Sequence, residues 1–219
     1  MDESRERRLL DDYEQRVKAL RDTSAFDVTD GRVANRLRNR DRVIEAVIEL
    51  VSEGRNATVD EIVERSGVAR RSIFRHFGDL ADLMFAAYRR VLADLAPIAI
   101  LEDLGVGSQD QRIEAYVDGR LRLLPHMHPF RIAARARLAD VEGVRTIVTV
   151  SNEMVRAQVA SQFAAELADR PRRDAELLAD SIFAMTSFES YDLLVHQLGR
   201  SVDDVRAMWM HATRVLLHG

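Results

Sequence analysis

The sequence predicts an all-α protein, and three observations carry that expectation. Apolar residues recur at spacings of three and four along most of the chain. No run alternates with period two between turn signals. The 4 prolines, 10 glycines and 6% aromatic residues are too few for a turn-dense sandwich or barrel. At 219 residues and 47% hydrophobic, the chain can fill one large or two modest domains. The division expected is an N-terminal extension over 1–38, a three-helix domain over 39–86 and a larger helical domain over 87–219.

The elements follow in order. Leu10, Tyr13, Val17 and Leu20 give a narrow apolar stripe, and a helix is expected from Ser4 to Arg21. Thr23 to Arg38 lacks periodicity and reads as a loop leading into a basic arm, Arg32, Arg36, Arg38 and Arg40. Val43, Ile44, Val47, Ile48, Leu50 and Val51 line the next helix, which Gly54 stops. Thr58 with Glu61 is a capping box, in which a hydroxyl and a carboxylate satisfy each other's backbone amides. The helix it starts carries Ile62 and Val63 and ends at Ser66-Gly67. A short helix from Ala69 to about Arg75 holds Ile73 and Phe74, with Phe77 behind it, and Gly78-Asp79 breaks it. Leu80 then opens a longer helix through Phe85, Tyr88, Val91, Leu92 and Leu95, which Pro97 is expected to close. Past a joint at Leu104 to Gly107, helices are expected over Ser108–Leu124, Phe130–Asp140, Val144–Ala168, Arg173–Leu198 and Ser201–Leu217, with Pro125, Pro129, Gly143, Pro171 and Gly199 as punctuation.

Composition narrows the function classes. With no cysteine there are no disulfides, thiolate zinc sites or iron-sulfur clusters, which fits an intracellular chain. The charged N-terminus lacks the apolar core of a signal peptide, and no stretch reaches the roughly 18 apolar residues of a membrane span, so a soluble cytoplasmic protein without a membrane partner is expected. A net charge of -4 would oppose nucleic-acid binding only if it were spread evenly. It is not: Arg70, Arg71, Ser72, Arg75 and His76 follow one another with no acidic residue between them.

Two helices joined by a tight turn at Ser66-Gly67-Val68, the second so basic, are what reading a major groove requires. Guanidiniums of Arg70 and Arg71 can bond guanine O6 and N7 in pairs, each worth about 1–3 kcal/mol of discrimination. Ser72, Arg75, His76 and the amides near Thr58 suit phosphates. The plainer alternative is a solvated basic helix. Arg36 and Arg38 of the arm can enter a narrow minor groove, against the alternative of a charged linker.

From Thr58 to Phe77 the sequence runs T-V-D-E-I-V-E-R-S-G-V-A-R-R-S-I-F-R-H-F, followed by Asp82-Leu83. This resembles the helix-turn-helix of TetR/AcrR-type transcriptional regulators, T-x-x-x-I-A-x-x-A-G-V-S-x-x-T-L-Y-x-H-F and then a leucine, with the motif at about 59–78 and the likeness extending roughly from Asn39 to Val91. The resemblance implies a DNA-binding domain followed by a helical ligand-binding and dimerisation domain. It further implies a homodimer on a (pseudo)palindromic operator of double-stranded DNA, working as a ligand-responsive repressor without a cofactor. Three residues depart from the pattern. Ala69 replaces a serine cap, Phe74 stands where a phosphate-contacting tyrosine is usual, and Leu80 where a lysine is frequent.

Beyond Leu95 the resemblance is architectural. Tyr116, Val148, Asn152, Met154, Val155, Gln158, Phe163, Phe183, Met185 and Thr186 mix a few polar groups with apolar walls, a composition suited to a small, largely apolar ligand and equally to ordinary core. Leu194, Leu198, Val205, Met208, Trp209 and Leu216 offer apolar surface for a two-fold interface. His126, His128, His196 and His211 raise a metal site, but no carboxylate spacing supports one and none is expected. Two other classes stay open. One is an all-helical enzyme with an unrecognised site, although no nucleophile elbow, phosphate loop or H-E-x-x-H pair is present. The other is an adaptor that keeps the helix-turn-helix shape without its DNA contacts.

Overall fold

The structure, a computed structural model, describes residues 31–101, 103–137 and 142–218. The helix expected over Ser4–Arg21 lies outside the described residues. Every described element is helical: α1 (Gly31–Ser52), α2 (Val59–Ser66), α3 (Arg70–Phe77), α4 (Leu80–Ala99), α5 (Gln109–Arg137), α6 (Glu142–Gln162), α7 (Ala164–Ala168), α8 (Arg172–Met185), α9 (Phe188–Tyr191), a π-helical turn (Asp192–Gln197) and α10 (Val202–His218). One compact unit holds the described residues up to Asp94 and those within Pro129–Ile147. The other holds those within Leu95–His128 and Val148–Gly219.

In the first unit α1 packs on both α2 and α3. Val43, Val47, Leu50, Ile62, Ile73 and Phe77 are buried there, so each short helix contributes one or two large apolar residues to a shared core. Isolated eight-residue helices are marginal in water, and this burial is what holds α2 and α3.

The basic arm is a correction: residues from Gly31 onward are the first turns of α1, not a loop. Ala34 and Leu37, three apart, are half-buried and carry the apolar face backward. Extending an existing helix requires no new nucleation, and arginine is a good helix former. Pro97 does not close α4; it sits in the last turn, where its missing N–H forfeits one bond and the helix continues to Ala99.

Pro125 and Pro129 likewise lie inside α5, a single helix of 29 residues. Each interior proline costs about 3 kcal/mol. Leu121, Leu123, Leu124 and Phe130 are all buried around them. At about 1.5–3 kcal/mol each, that burial matches or exceeds the cost.

The second unit contains breaks that periodicity did not mark. The helix expected over Val144–Ala168 ends at Gln162, and Phe163 separates α6 from α7. The helix expected over Arg173–Leu198 ends at Met185. Ser187 then caps α9 by accepting the Ser190 N–H, and the chain widens into the π turn, where Leu198 N–H reaches Leu193 C=O at 2.9 Å. Tyr116, Phe163, Ile182, Tyr191, Val205 and Trp209 form the core of this unit.

Candidate nucleic-acid interface

The turn between α2 and α3 is built from local chemistry. Thr58 has extended backbone (φ -69°, ψ 157°) and its hydroxyl accepts the Glu61 N–H at 3.4 Å. The Glu61 carboxylate accepts the Thr58 N–H at 2.8 Å and its hydroxyl at 2.7 Å. Arg55 Nη2 adds a bond to the other oxygen at 2.6 Å. Backbone and hydroxyl bonds from Thr58, with Arg55 after them, hold the Glu61 carboxyl down at about 2. Thr58, expected to meet phosphate, therefore spends both its donors on Glu61. Gly67 takes the left-handed conformation (φ +65°) and its N–H reaches Val63 C=O, so α2 stops where the sequence predicts.

α2 is clamped to α1 by Arg65. Its Nη1 bonds Glu49 at 3.1 Å and Glu53 at 2.8 Å, while Nη2 bonds the second Glu53 oxygen at 3.0 Å. The Arg65 bonds hold the Glu53 carboxyl below its ordinary range. Glu49 of α1 and Glu53, just past its end, are thereby engaged by α2.

α3 begins at Arg70 after Ala69, which makes no side-chain cap bond, as the sequence implies. Ile73 and Phe77 face the core, while Arg70, Arg71 and Arg75 are exposed and Ser72, Phe74 and His76 half-buried. The three arginines differ in what holds them. Arg70 Nη2 bonds Asp60 Oδ1 of α2 at 2.5 Å. Arg75 Nη2 donates to Ser72 Oγ at 3.3 Å. Arg71 makes neither an ion pair nor a hydrogen bond among the described residues.

Arg36 and Arg38 are exposed on α1 and Arg40 is partly covered, its guanidinium 5.4 Å from the Phe77 ring centre. Partial burial pushes the His76 imidazole below its ordinary value, and the charges of Arg75, Arg36 and Arg40 push it further. Arg36, Arg40 and Arg75 thus form one cationic group drawn from α1 and α3 around the neutral-favoured His76, able to hold phosphate oxygens at the edge of a helix that enters a groove. Arg40 was expected only as part of the arm, and its place beside Phe77 and His76 and the Asp60 partnership were missed. The i, i+4 spacing of Arg36 and Arg40 would have signalled a shared face had the arm been read as helical.

The residues expected in a ligand pocket all belong to the second unit. Tyr116, Phe163 and Thr186 come together: the Tyr116 and Phe163 rings meet edge-on at 5.8 Å, and Tyr116 Oη lies 2.7 Å from Thr186 Oγ1. Burial pushes the Tyr116 phenol up. Gln158 donates to Ala99 C=O at 2.7 Å. Met154 and Val155 are buried; Val148, Asn152, Phe183 and Met185 are half-buried.

Of the expected interface residues, Leu198 and Met208 are exposed and Leu194 and Leu216 half-buried. Val205 and Trp209 are a correction, because at 0% and 1% exposure they fill the protomer's own core and have no surface to present. Leu177, Leu193, Val202 and Val215 are exposed apolar positions that sequence reasoning passed over. His128 stacks on His196 with ring centres 3.6 Å apart and bonds Asp192 at 2.8 Å. Among the described residues no three His, Asp or Glu side chains are disposed to hold a metal ion, and no described helix is long and apolar enough to cross a membrane.

Residues 45–87, which span the last third of α1, all of α2 and α3 and the start of α4, match the family described as bacterial regulatory proteins, tetR family. Neither a curated protein nor a solved structure matches the chain.

Proposed function

We propose that this chain, a DNA-binding transcriptional regulator of the tetR family by its residues 45–87, works as a homodimer that sets one α3 in each half-site of a (pseudo)palindromic operator. In this reading Arg71 and Arg70 meet base edges, while Arg36, Arg75 and His76 meet phosphates. The observation that carries it is Arg71, exposed near the start of α3 and without a partner among the described residues, flanked by arginines from two helices. Such an arrangement leaves donors open for guanine O6 and N7 while the flank fixes register. Exposed Leu177, Met208 and Val215 support self-association through α8 and α10, which contact each other within the protomer.

A small, largely apolar molecule held among the helices of the second unit would release the DNA, making the protein a ligand-responsive repressor. It can do so only by binding the DNA-incompetent state more tightly, with a coupling of about 1–3 kcal/mol. The test is fluorescence anisotropy on duplexes from the region upstream of the protein's own gene, across a potassium chloride series. Binding should weaken steeply and linearly on log–log axes, since each neutralised phosphate releases counterions. A flat salt profile overturns the reading.

A further inference from the structure

We propose that Asp60 is a specificity-determining residue: its carboxylate aims Arg70 along the reading face and repels phosphates, so that Arg70 engages DNA only where a base edge competes for it. The proposal rests on the DNA-binding reading above. Asp60 is the second residue of α2 and Arg70 the first of α3, and Asp60 Oδ1 lies 2.5 Å from Arg70 Nη2 across the turn. The side chains are 87% and 56% exposed. A pair so open to water adds little to folding. Nor does Asp60 cap α2, since Thr58 and Glu61 do that between them.

Beyond the weak attraction of a first-turn carboxylate to the α2 N-terminus, Asp60 has no structural duty that the fold requires, and on a face meant for phosphates it costs affinity. What it supplies is aim. A guanidinium carries five N–H donors in a rigid fork, and engaging one nitrogen leaves the others free to turn to a base. Immobilising a long side chain on binding costs about 2- to 12-fold in affinity, and a side chain already held has part of that cost removed. Against phosphate alone Asp60 adds repulsion; against guanine O6 and N7 two bonds replace one. Arg71, one residue on and without a partner among the described residues, is the internal contrast.

The experiment uses the full chain, a fluorescein-labelled duplex that the wild type selects from a random-sequence pool, and a scrambled duplex of equal composition. Anisotropy gives both Kd values across a potassium chloride series for wild type, Asp60→Asn, Asp60→Glu, Arg70→Ala and Asp60→Asn with Arg70→Ala. Asp60→Asn should bind the scrambled duplex about 2- to 10-fold more tightly, with a steeper salt slope, while the ratio of scrambled to selected Kd falls. Asp60→Glu should keep most of that ratio, and in the Arg70→Ala background Asp60→Asn should no longer lower it. An unchanged ratio in Asp60→Asn, or an equal fall with and without Arg70, overturns the role assigned to Asp60 alone. If the wild type selects no duplex, the DNA-binding reading falls with it.

Discussion

Acidification should tighten DNA binding and weaken the free fold, through one side chain. His76 is half-buried beside Arg75, Arg36 and Arg40, and in the free protein burial and those charges keep its imidazole below the ordinary 6.5. A DNA phosphate placed at that cluster reverses the balance, because an anion now faces the ring. A hydrogen bond to a charged group is worth about 1.5–3 kcal/mol, so phosphate and proton bind His76 cooperatively and the bound-state pKa rises. Affinity per half-site should then rise about 10- to 100-fold as pH falls from above the bound-state pKa to below the free one.

For stability the sign is opposite. The folded pKa lies below the unfolded one, so the unfolded chain takes up the proton first. Stability is whole above about 6.5 and declines as pH falls toward the folded pKa. Anisotropy against pH at fixed ionic strength, with urea unfolding on the same buffers, measures both. The other five histidines all lie in the second unit and remain in His76→Asn. If His76→Asn keeps the wild-type slope of log Kd against pH, phosphate does not meet this imidazole and the assignment fails.

Other outcomes can be checked more briefly. Arg71→Ala should lose about 1–3 kcal/mol of discrimination between selected and scrambled duplexes with an unchanged unfolding midpoint; equal discrimination would remove direct readout by that residue. Thr186→Val strands the buried Tyr116 hydroxyl and should cost about 1–3 kcal/mol in urea unfolding, whereas Tyr116→Phe, which leaves Thr186 its bond to Ile182 C=O at 2.8 Å, should cost about 1 kcal/mol. A larger loss for Tyr116→Phe would contradict the network. Trp209 emission should be that of a buried indole and stay constant on dilution, while Met208→Asp, at an exposed position, should shift sedimentation toward monomer; a Trp209 signal that follows dilution would mean its burial depends on a second copy.

What the sequence made legible was local. The capping box at Thr58 and Glu61, the left-handed stop at Gly67 and the missing cap at Ala69 each depend on atoms within a few residues, and all three stand in the structure. The boundaries that failed are those that distant packing decides. Buried leucines and Phe130 carry α5 through two prolines, whereas Phe163 and Ser187 interrupt helices whose apolar periodicity runs on. Trp209 and Val205 were expected at an interface because a stripe shows only that a face is covered, not by what.

The same limit governs the candidate site. Composition places three arginines on α3, yet it does not say which of them are available, since availability is set by partners on other turns. Asp60 is ten residues from Arg70, and Arg36 and Arg40 come to His76 from another helix. Arg70 leaves Asp60 when it moves, Arg75 leaves only the Ser72 hydroxyl, and Arg71 leaves nothing among the described residues. Equal residues with unequal partners should therefore divide the work: Arg71 samples bases, Arg70 commits to one, and Arg75 shares the phosphate edge with α1.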